Sequence, residues 1–567
     1  MRSLLQGCVL LLLACGPTVA PVPPTPPLDE VPSLRGREQA PPRRVVLSVI
    51  GTNDLHGHLE TLPTLAGYLA NVRAARAQDG GVLLVDGGDM WQGTLASNMA
   101  EGAPVVAAYN VLRYDAAAIG NHEFDYGPVG PAATPQAPSD DPRGALLARV
   151  REATFSVLGA NYLDATTGEP VSWPGVRRSV LLERAGVRVG IVGVGTIETP
   201  STTIAANVRD VRMAPLAPTI ETLARRLRAD GAHVVVVVAH AGAECRALDD
   251  PDDLSSCDRG EVLAVAQALP VGLVDVIVGG HTHKAVAHRV HGIAVIESWA
   301  LGRAFGRVDL TLENGQVVDQ RIFPPRDLCT ATEGTCVPGE YEGEAVVPSA
   351  EVAAVVEPAL AAAEARRREP LGVTLAEPLR RAYRDESALG NWLADLMHEI
   401  RPEADAALLN AGGVRADLDA GPLTYGQLYE AFPFDNRFAT VELSGAQLAR
   451  IVAFNLQHSS GTLILAGLTA RARCRGDELV VELRDRHGRR VTDGQRLKVV
   501  TSDYLATTPL FEGLPSDAVQ LDGSGTPIRE AIAARLRERG GIVRPSDVFD
   551  PERPRLRLPM PRPVRCE

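Results

Sequence analysis

Lysine is almost absent from this sequence of 567 residues. Only Lys284 and Lys498 are lysines among the 57 basic residues, so the other 55 are arginines, and the formal net charge is −13. No basic run is long enough to form a groove for nucleic acid, and the negative overall charge opposes one. An acidic protein that acts on an anionic substrate needs a local positive site, built from metal ions or from arginines.

The N-terminus lacks an apolar run long enough to span a bilayer. The segment Leu4 to Leu13 follows Arg2 and is too short for a spanning helix, so residues 1–15 are predicted to be an export signal. Residues 16–42 contain nine prolines and predict an extended tether. We therefore expect an exported protein whose folded part begins near residue 43.

The end of the signal, Leu12-Leu13-Ala14-Cys15, resembles the lipobox of bacterial lipoproteins. This resemblance implies that Cys15 becomes the lipidated first residue and anchors the protein at the periplasmic face of a membrane or at the cell surface. Ordinary cleavage after Ala20 is the alternative, although Pro21 directly after that bond disfavours it.

Six cysteines remain when Cys8 and Cys15 of the predicted export signal are set aside. No two of these six have the close C-x-x-C spacing of common zinc sites. An oxidising compartment favours disulfides. Their spacing predicts the pairs Cys245–Cys257, Cys329–Cys336 and Cys474–Cys566.

The length predicts two or more domains, and the apolar fraction of 45% and charged fraction of 22% are those of a globular protein. Apolar segments separated by helical stretches over residues 43–323 predict an α/β domain whose sheet is covered on both faces. The expected strands are Val45–Ile50, Val82–Val85, Ala116–Ile119, Gly190–Val194, Val234–Ala239 and Val274–Val278, and expected helices include Pro63–Ala77 and Pro218–Ala229.

Side chains that can bind metal ions follow five of these six strands: Asp54, His56, Asp89, Asn121, His240, His281 and His283. Ligands gather at the carboxyl ends of strands in open α/β sheets. A single histidine after a strand is more often a hydrogen-bonded structural residue, but five such strand ends are difficult to explain that way. Mixed Asp, His and Asn ligands suit zinc, manganese or similar ions. Seven side chains exceed the needs of one ion, so two ions bridged by a shared carboxylate are expected.

The motifs Asp54-Leu55-His56, Gly87-Gly88-Asp89, Gly120-Asn121-His122-Glu123, His240 and Gly280-His281-Thr282-His283 resemble those of the calcineurin-like metallophosphatases, and their longer forms resemble the 5′-nucleotidase branch. The resemblance implies a four-layer sandwich. It also implies that Asp54, His56 and His283 bind one divalent cation and that Asn121, His240 and His281 bind the other. Asp89 would bridge them. Histidine at position 283 differs from the glutamine often found in periplasmic relatives but can still bind a metal ion.

His122 is not expected to bind a metal ion. The resemblance implies that its imidazole stabilises the transition-state charge or protonates the leaving oxygen. Asp125 would fix its tautomer and raise its pKa. In the same stretches, His58 is expected either to support the metal ligands or to be structural, and Trp91 and Glu123 are expected to be structural.

Residues 324–370 predict a linker and a connecting helix, Ala350–Arg368, and residues 371–567 predict a second α/β domain without metal-ligand clusters. Expected strands are Ala406–Leu409, Thr440–Leu443 and Leu497–Thr501, and expected helices are Leu389–Ile400 and Gly445–Asn455. A Gly-Gly loop beside Arg415 suits an anionic or planar ligand, and an exposed Phe434 could stack on a base.

From about residue 371 to 545 the sequence resembles the C-terminal, nucleotide-recognising domain of the 5′-nucleotidases. The resemblance implies that Asn410 and Arg415 contact substrate, that Phe434 and Tyr504 sandwich the base, and that Arg384 is a further candidate contact. Relatives follow the second ring with a Gly-Gly-Asp-Gly turn that holds the ribose, whereas this chain has Thr507-Thr508-Pro509-Leu510-Phe511. This departure weakens the expected nucleoside specificity.

We therefore expect an exported, dimetal phosphoesterase that hydrolyses 5′-nucleotides or related small phosphoesters. A relative that acts on cyclic nucleotides, UDP-sugars or a sulfur ester is the alternative among enzymes. A surface-anchored protein that binds nucleotide or metal without turnover is the alternative outside enzymes.

Overall fold

The computed structural model describes residues 44–130, 132–135, 137–332, 335–522 and 526–566. The predicted export signal, the lipidation site Cys15 and the tether over residues 16–42 lie outside the described residues. Within the described ranges, no helix has both the length and the hydrophobicity needed to cross a membrane.

In the described residues up to Asp327 the chain alternates between strands and helices. The strands are β1 (Arg44–Thr52), β2 (Gly80–Asp86), β3 (Ala116–Ala118), β4 (Ser156–Leu158), β5 (Tyr162–Asp164), β6 (Ser179–Arg184), β7 (Val187–Gly195), β8 (Val211–Met213), β9 (Val234–His240), β10 (Val276–Val278), β11 (Ala285–Val290), β12 (Ile293–Ser298), β13 (Ala304–Glu313) and β14 (Gln316–Asp327). The helices are α1 (Leu62–Arg76), α2 (Leu95–Asn98), α3 (Ala103–Leu112), α4 (Gly144–Glu152), α5 (Thr199–Thr202), α6 (Ala205–Val208), α7 (Leu216–Ala229) and α8 (Glu261–Ala268).

Most of these strands form two six-stranded sheets, ordered β14-β13-β1-β2-β3-β4 and β11-β12-β10-β9-β7-β6. Strands β1 to β4 pair in parallel in the first sheet, and β7, β9, β10 and β12 pair in parallel in the second. Because parallel neighbours point the same way, the carboxyl ends of each parallel set lie at one edge of its sheet.

The two sheets pack face to face, with apolar side chains such as Leu47, Leu83, Val189 and Val236 buried between them. Helices α1 and α3 bury apolar side chains against the outer face of the first sheet, and α7 and α8 do so against the second. This arrangement is the expected four-layer sandwich, and the predicted strands and helices all form. The apolar runs alone predict one sheet covered on both faces. A strand that is buried on both faces has the same apolar sequence pattern in either sheet, so the pattern does not show that there are two sheets.

Two small hairpins and a long helix follow β14: β15 (Thr330–Thr332), β16 (Thr335–Val337), β17 (Glu340–Tyr341), β18 (Glu344–Ala345) and α9 (Ala350–Arg367). The predicted boundary at residue 323 therefore falls inside β14. Helix α9 begins after Ser349, whose hydroxyl accepts a hydrogen bond from the backbone N–H of Val352.

The remainder of the chain forms a second α/β region. Its strands are β19 (Pro370–Leu375), β20 (Ala406–Asn410), β21 (Gly421–Thr424), β22 (Phe438–Ser444), β23 (Leu463–Ala466), β24 (Leu468–Arg475), β25 (Glu478–Asp485), β26 (Arg496–Ser502), β27 (Val519–Leu521), β28 (Gly541–Val543) and β29 (Leu556–Arg557). Its helices are α10 (Ala388–Ile400), α11 (Tyr425–Ala431), α12 (Gly445–His458), α13 (Asp503–Ala506), α14 (Ile528–Arg539) and α15 (Pro545–Val548).

A five-stranded sheet, ordered β23-β20-β26-β22-β27, is the centre of this second region, and two three-stranded sheets flank it. One apolar cluster runs from Tyr68 of α1 through Val352 of α9 to Leu428 of α11 and Trp392 of α10. The two α/β regions therefore share buried apolar surface, and α9 contributes to it.

The three predicted disulfides are present. Cys245–Cys257 closes the loop that follows β9, Cys329–Cys336 joins the ends of the first small hairpin, and Cys474–Cys566 ties the end of β24 to the C-terminal tail.

Candidate metal centre

The seven side chains that follow the parallel strands of the sandwich lie at one place. Two groups have ligand atoms within 4.8 Å of one another: Asp54 with His56 and His283, and Asp54 with Asp89 and His240. Asn121 and His281 join the second group through Asn121 Oδ1, which lies 2.9 Å from His240 Nε2 and 3.0 Å from His281 Nδ1. Residues up to 229 positions apart in the sequence thus meet where the carboxyl ends of both sheets converge.

The backbone at this edge is unusual. Five of the seven residues have φ in the left-handed region: Asp54 at 50°, His56 at 48°, Asp89 at 57°, His281 at 79° and His283 at 57°. Residues other than glycine rarely adopt this region, and such strain gathers at functional sites. The loops therefore hold these side chains in a costly conformation that points them at a common centre.

At the first group, the imidazoles of His56 and His283 face each other, with 3.0 Å between their Nε2 atoms. His283 Nε2 lies 3.6 Å from Asp54 Oδ1, and His56 Nε2 lies 3.8 Å from Asp89 Oδ2. At the second group, His240 Nε2 lies 3.2 Å from the same Asp89 Oδ2. Asp89 thus stands between the two groups, where the shared carboxylate was expected.

Hydrogen bonds outside the centre fix which ring nitrogens face inward. His56 Nδ1 donates to the Gln92 carbonyl at 2.7 Å, and His240 Nδ1 donates to the Gly87 carbonyl at 3.0 Å. In both neutral imidazoles the lone pair is therefore on Nε2, inside the centre. Asn121 Nδ2 donates to the Thr202 carbonyl at 3.0 Å, so its oxygen also points inward.

These inward atoms are electron-rich and face one another. In a neutral His240 the lone pair of Nε2 meets the oxygens of Asn121 and Asp89, which cannot donate a hydrogen bond to it. Burial opposes the charged imidazole, but Asp89 outweighs it and raises the pKa of His240 to about 9, so the centre favours positive charge. A proton on His240 supplies part of that charge, and a divalent cation at each group would supply more. The donor set of imidazole nitrogen, carboxylate and amide oxygen fits zinc, manganese or similar ions.

Glu123, expected to be structural, has a specific role in this geometry. Its buried carboxylate accepts hydrogen bonds from the backbone N–H groups of Asp89 (2.9 Å), Met90 (2.8 Å) and Gly120 (2.7 Å). It therefore ties the loop that carries Asp89 to the loop that carries Asn121. This role of Glu123 is not predictable from the sequence, because its hydrogen-bond partners are backbone N–H groups, which almost every residue has.

The loop after β7, where the sequence shows no strong ligand, supports three of the site residues. Glu198 Oε2 lies 3.4 Å from His281 Nε2, and the Thr202 carbonyl receives the amide of Asn121. The hydroxyl of Thr203 donates to Asp125 Oδ1 at 2.7 Å. The loop after β7 therefore orients side chains that are supplied by the loops after other strands.

His122 lies beside the two groups without joining either. Its Nδ1 donates to Asp125 Oδ2 at 2.6 Å, and its ring centroid lies 5.4 Å from that of His56. Burial opposes the charged imidazole, but the carboxylates of Asp125 and Asp89 outweigh it and raise the pKa of His122 to about 10. Its ring is therefore held in one orientation as a proton donor.

His58 and Trp91 are in neither group of ligand atoms. His58 Nδ1 lies 2.7 Å from Glu60 at the surface, and Trp91 is fully buried.

Comparison with known proteins explains this architecture. Residues 47–285 match the family model for calcineurin-like phosphoesterases, and residues 369–509 match the model for the C-terminal domain of 5′-nucleotidases. This chain has the two-region architecture of the 5′-nucleotidases. Both expected resemblances, and the order of the two regions, are confirmed.

Individual relatives align over most of the chain. A 5′-nucleotidase of Vibrio cholerae is 25% identical over 446 residues, covering 71% of this chain and 74% of that protein. A cell wall protein of Listeria monocytogenes is 26% identical over 519 residues, covering 82% of this chain. This chain spans 64% of the length of that cell wall protein. The crystal structure of a 5′-nucleotidase precursor from Thermus thermophilus superposes with a TM-score of 0.58 and 25% identity, covering 88% of this chain and 97% of the other.

The candidate substrate residues of the 5′-nucleotidase C-terminal region lie at one edge of the five-stranded sheet. Asn410 ends β20, Tyr504 follows β26, and Phe434 precedes β22, which runs antiparallel to β26. Arg384 reaches the same edge, because the carbonyl of the preceding Tyr383 accepts a hydrogen bond from Thr462 at the start of β23.

The side chains at this edge are open to solvent. Phe434 is 36% and Tyr504 57% exposed, and Arg384 and Arg415 are also exposed. Tyr383 was missed in the sequence. It is 45% exposed and lies against the Gly412 backbone, beside Asn410.

Proposed function

We propose that this chain is an exported phosphoesterase that hydrolyses 5′-nucleotides or related phosphoesters to a nucleoside or alcohol and phosphate. The observation that carries the proposal is the convergence of seven metal-binding side chains beside one imidazole, His122, that belongs to neither group. The matches to the calcineurin-like phosphoesterase model and to the 5′-nucleotidase C-terminal model support the same reaction class.

In this proposal the region over residues 43–323 carries the chemistry. Asp54, His56 and His283 would hold one divalent cation, Asn121, His240 and His281 would hold the second, and Asp89 would contribute to both. Such cations would supply Lewis-acid chemistry, which is positive charge for phosphoryl oxygens and a lowered pKa for the attacking water molecule. The buried carboxylates and the inward lone pairs set the positions of the two ions.

His122 supplies the proton and the positive charge that the leaving oxygen requires. Its Nδ1 donates to Asp125, which fixes the tautomer and favours the charged ring. Its Nε2 is then free to donate to a phosphoryl or leaving oxygen. Asp125 in turn is held by the hydroxyl of Thr203.

The region over residues 371–567 recognises the rest of the substrate. We assign Arg384, Asn410 and Arg415 to the polar part and the rings of Phe434 and Tyr504 to a planar base.

Esters other than 5′-nucleotides are included because the segment that follows Tyr504 lacks the residues that would select for a nucleoside. The hydroxyls of Thr507 and Thr508 donate to backbone carbonyls of residues 503–505, and no acidic side chain stands between residues 507 and 511. A ribose would find no carboxylate partner in this segment. Cyclic nucleotides, UDP-sugars and sulfur esters are therefore the second group of candidate substrates.

Ester hydrolysis by the purified protein tests the proposal. Metal-free protein is reloaded with Mn²⁺ or Zn²⁺ and assayed with AMP, UDP-glucose, cyclic AMP and bis-p-nitrophenyl phosphate, with the organic products separated by chromatography and inorganic phosphate measured for AMP. We expect metal-dependent hydrolysis of at least one ester and its loss in His122→Ala. Absence of turnover with every ester, together with nucleotide binding, would favour a binding protein instead.

We also propose that the protein is lipid-anchored through Cys15. Fatty-acid labelling of the full-length chain should be lost in Cys15→Ala. Labelling that persists, or a mature N-terminus at Pro21, would contradict the anchor.

A further inference from the structure

The backbone of Gln92 and Gly93 is in direct contact with His56. The Gln92 carbonyl accepts the Nδ1 proton of His56 at 2.7 Å. A side chain at Gly93 would begin 2.3 Å from the His56 carbonyl oxygen, so the two backbones are packed without a gap. A shift of this segment would therefore move or rotate the imidazole of His56.

A tyrosine from the second α/β region holds this segment. Tyr429, on α11, donates its hydroxyl proton to the Gly93 carbonyl at 3.0 Å and accepts a hydrogen bond from Asn98 Nδ2 at 3.0 Å. Asn98 Oδ1 in turn accepts the Gly93 N–H at 3.0 Å. Tyr429 is only 5% exposed, so water cannot readily replace its hydroxyl.

The opposite side of Tyr429 leads to the candidate base-binding loop. The Arg529 guanidinium lies 4.3 Å from the centroid of the Tyr429 ring. Arg529 also donates to the carbonyls of Phe432 (3.3 Å) and Phe434 (3.2 Å) and pairs with the carboxylate of Asp435. Tyr429 thus contacts both the residue that fixes this loop and the segment that orients His56.

We infer that Tyr429 is a positioning residue through which the second region completes the metal site at His56. The ligand concerned is a divalent cation, and the inference rests on the proposed role of His56 as its ligand. Partners of metal-bound histidines fix ring orientation and raise metal affinity. A substrate that orders the loop containing Phe434 then strengthens cation binding at His56. By thermodynamic linkage, the bound cation strengthens the binding of that substrate by the same factor.

Tyr429→Phe tests this inference, because it removes the hydroxyl and keeps the ring that Arg529 covers. The matched control is Tyr425→Phe on the same helix, whose hydroxyl bonds Glu530 and Arg529 but nothing in the first region. Metal-free full-length proteins are titrated with Mn²⁺ and followed by electron paramagnetic resonance, with thermal unfolding measured in parallel.

We expect Tyr429→Phe to weaken one of two Mn²⁺ sites about three- to tenfold, less than the 10- to 100-fold effect of removing a direct partner of the ligand. Tyr425→Phe should bind both ions as the parent does. Asn98→Ala should weaken the same site, and its effect should not add to that of Tyr429→Phe because both act on Gly93.

Unchanged Mn²⁺ affinity in Tyr429→Phe, with or without a lower unfolding temperature, would overturn the inference and leave the proposed function standing. Equal weakening in Tyr425→Phe would also overturn it. A parent protein that binds neither Mn²⁺ nor, by calorimetric titration, Zn²⁺ would refute the proposed function itself, so the two failures are distinguishable.

Discussion

At the scale of single residues, the site depends on side chains that do not bind a cation. Asp125 and Glu123 both lie within five residues of Asn121 and are both acids, but the structure gives them different partners. Asp125 accepts a hydrogen bond from the imidazole of His122, and Glu123 accepts hydrogen bonds from three backbone N–H groups. Replacing each acid with its amide should therefore affect different properties.

Asp125→Asn should lower kcat about 10- to 100-fold, because the amide no longer favours the charged ring of His122 or fixes its tautomer. The metal content should be unchanged, since Asp125 contacts neither ligand group. Steady-state kinetics and metal analysis of the purified variant check this. Asp141→Asn, at an exposed carboxylate, is the control and should behave as the parent.

Glu123→Gln should lower the free energy of unfolding by about 2–4 kcal/mol, because an amide NH₂ would face buried N–H donors that the carboxylate now satisfies. Displacement of the loops that carry Asp89 and Asn121 should also weaken metal binding. Chemical denaturation and metal titration measure both effects, and Glu60→Gln at the surface provides the comparison. Unchanged stability would mean that Glu123 does not join the two loops.

At the scale of elements, strands and helices were predictable from the sequence, but their arrangement into sheets was not. The helix expected over Ala350–Arg368 is α9 (Ala350–Arg367), and the apolar run Val234–Ala239 lies within β9. The division of the strands into two sheets depends on which strands pair over long sequence distances. The local apolar pattern contains no information about that pairing.

The candidate metal residues could be recognised because each follows an apolar strand. Their left-handed backbone and the contacts that Glu198 makes with His281 and Thr202 makes with Asn121 could not be recognised. Both contacts join loops distant in sequence, and the one from Thr202 uses a backbone carbonyl, which every residue has.

The disulfides should differ in what they contribute to stability. Cys474–Cys566 closes a loop of 92 residues, whereas Cys329–Cys336 closes one of 7. Loop-closure entropy predicts losses of about 4–5 and about 2 kcal/mol when each pair is replaced by serine. Denaturant unfolding of the two double variants checks the order, and an equal loss in both would show that the entropy of the unfolded chain is not the main term.

At the scale of the whole molecule, one apolar cluster and the Tyr429 contact link the two α/β regions. The site at the edge of the sandwich gathers buried carboxylates and inward lone pairs that repel one another unless positive charge lies between them. Stability of the whole chain should therefore depend on cations.

Removal of metal ions with a chelator should lower the temperature of unfolding, and Mn²⁺ or Zn²⁺ should restore it. At a free ion concentration about 100 times the dissociation constant, one site adds about 2.7 kcal/mol. Calorimetry at several Mn²⁺ concentrations measures the increase, which should shrink in His240→Ala because one set of ligands is then incomplete. An unfolding temperature that is unchanged by both the chelator and the added ion would argue against the two cation sites.

The scarcity of lysine has a practical consequence for labelling. Of the two side-chain amines, Lys498 is partly buried, whereas Lys284 is exposed and immediately follows His283. An amine-reactive fluorophore would therefore couple mainly at the mouth of the candidate metal centre. A protein labelled in this way would carry a built-in optical reporter for cation occupancy without any engineered cysteine.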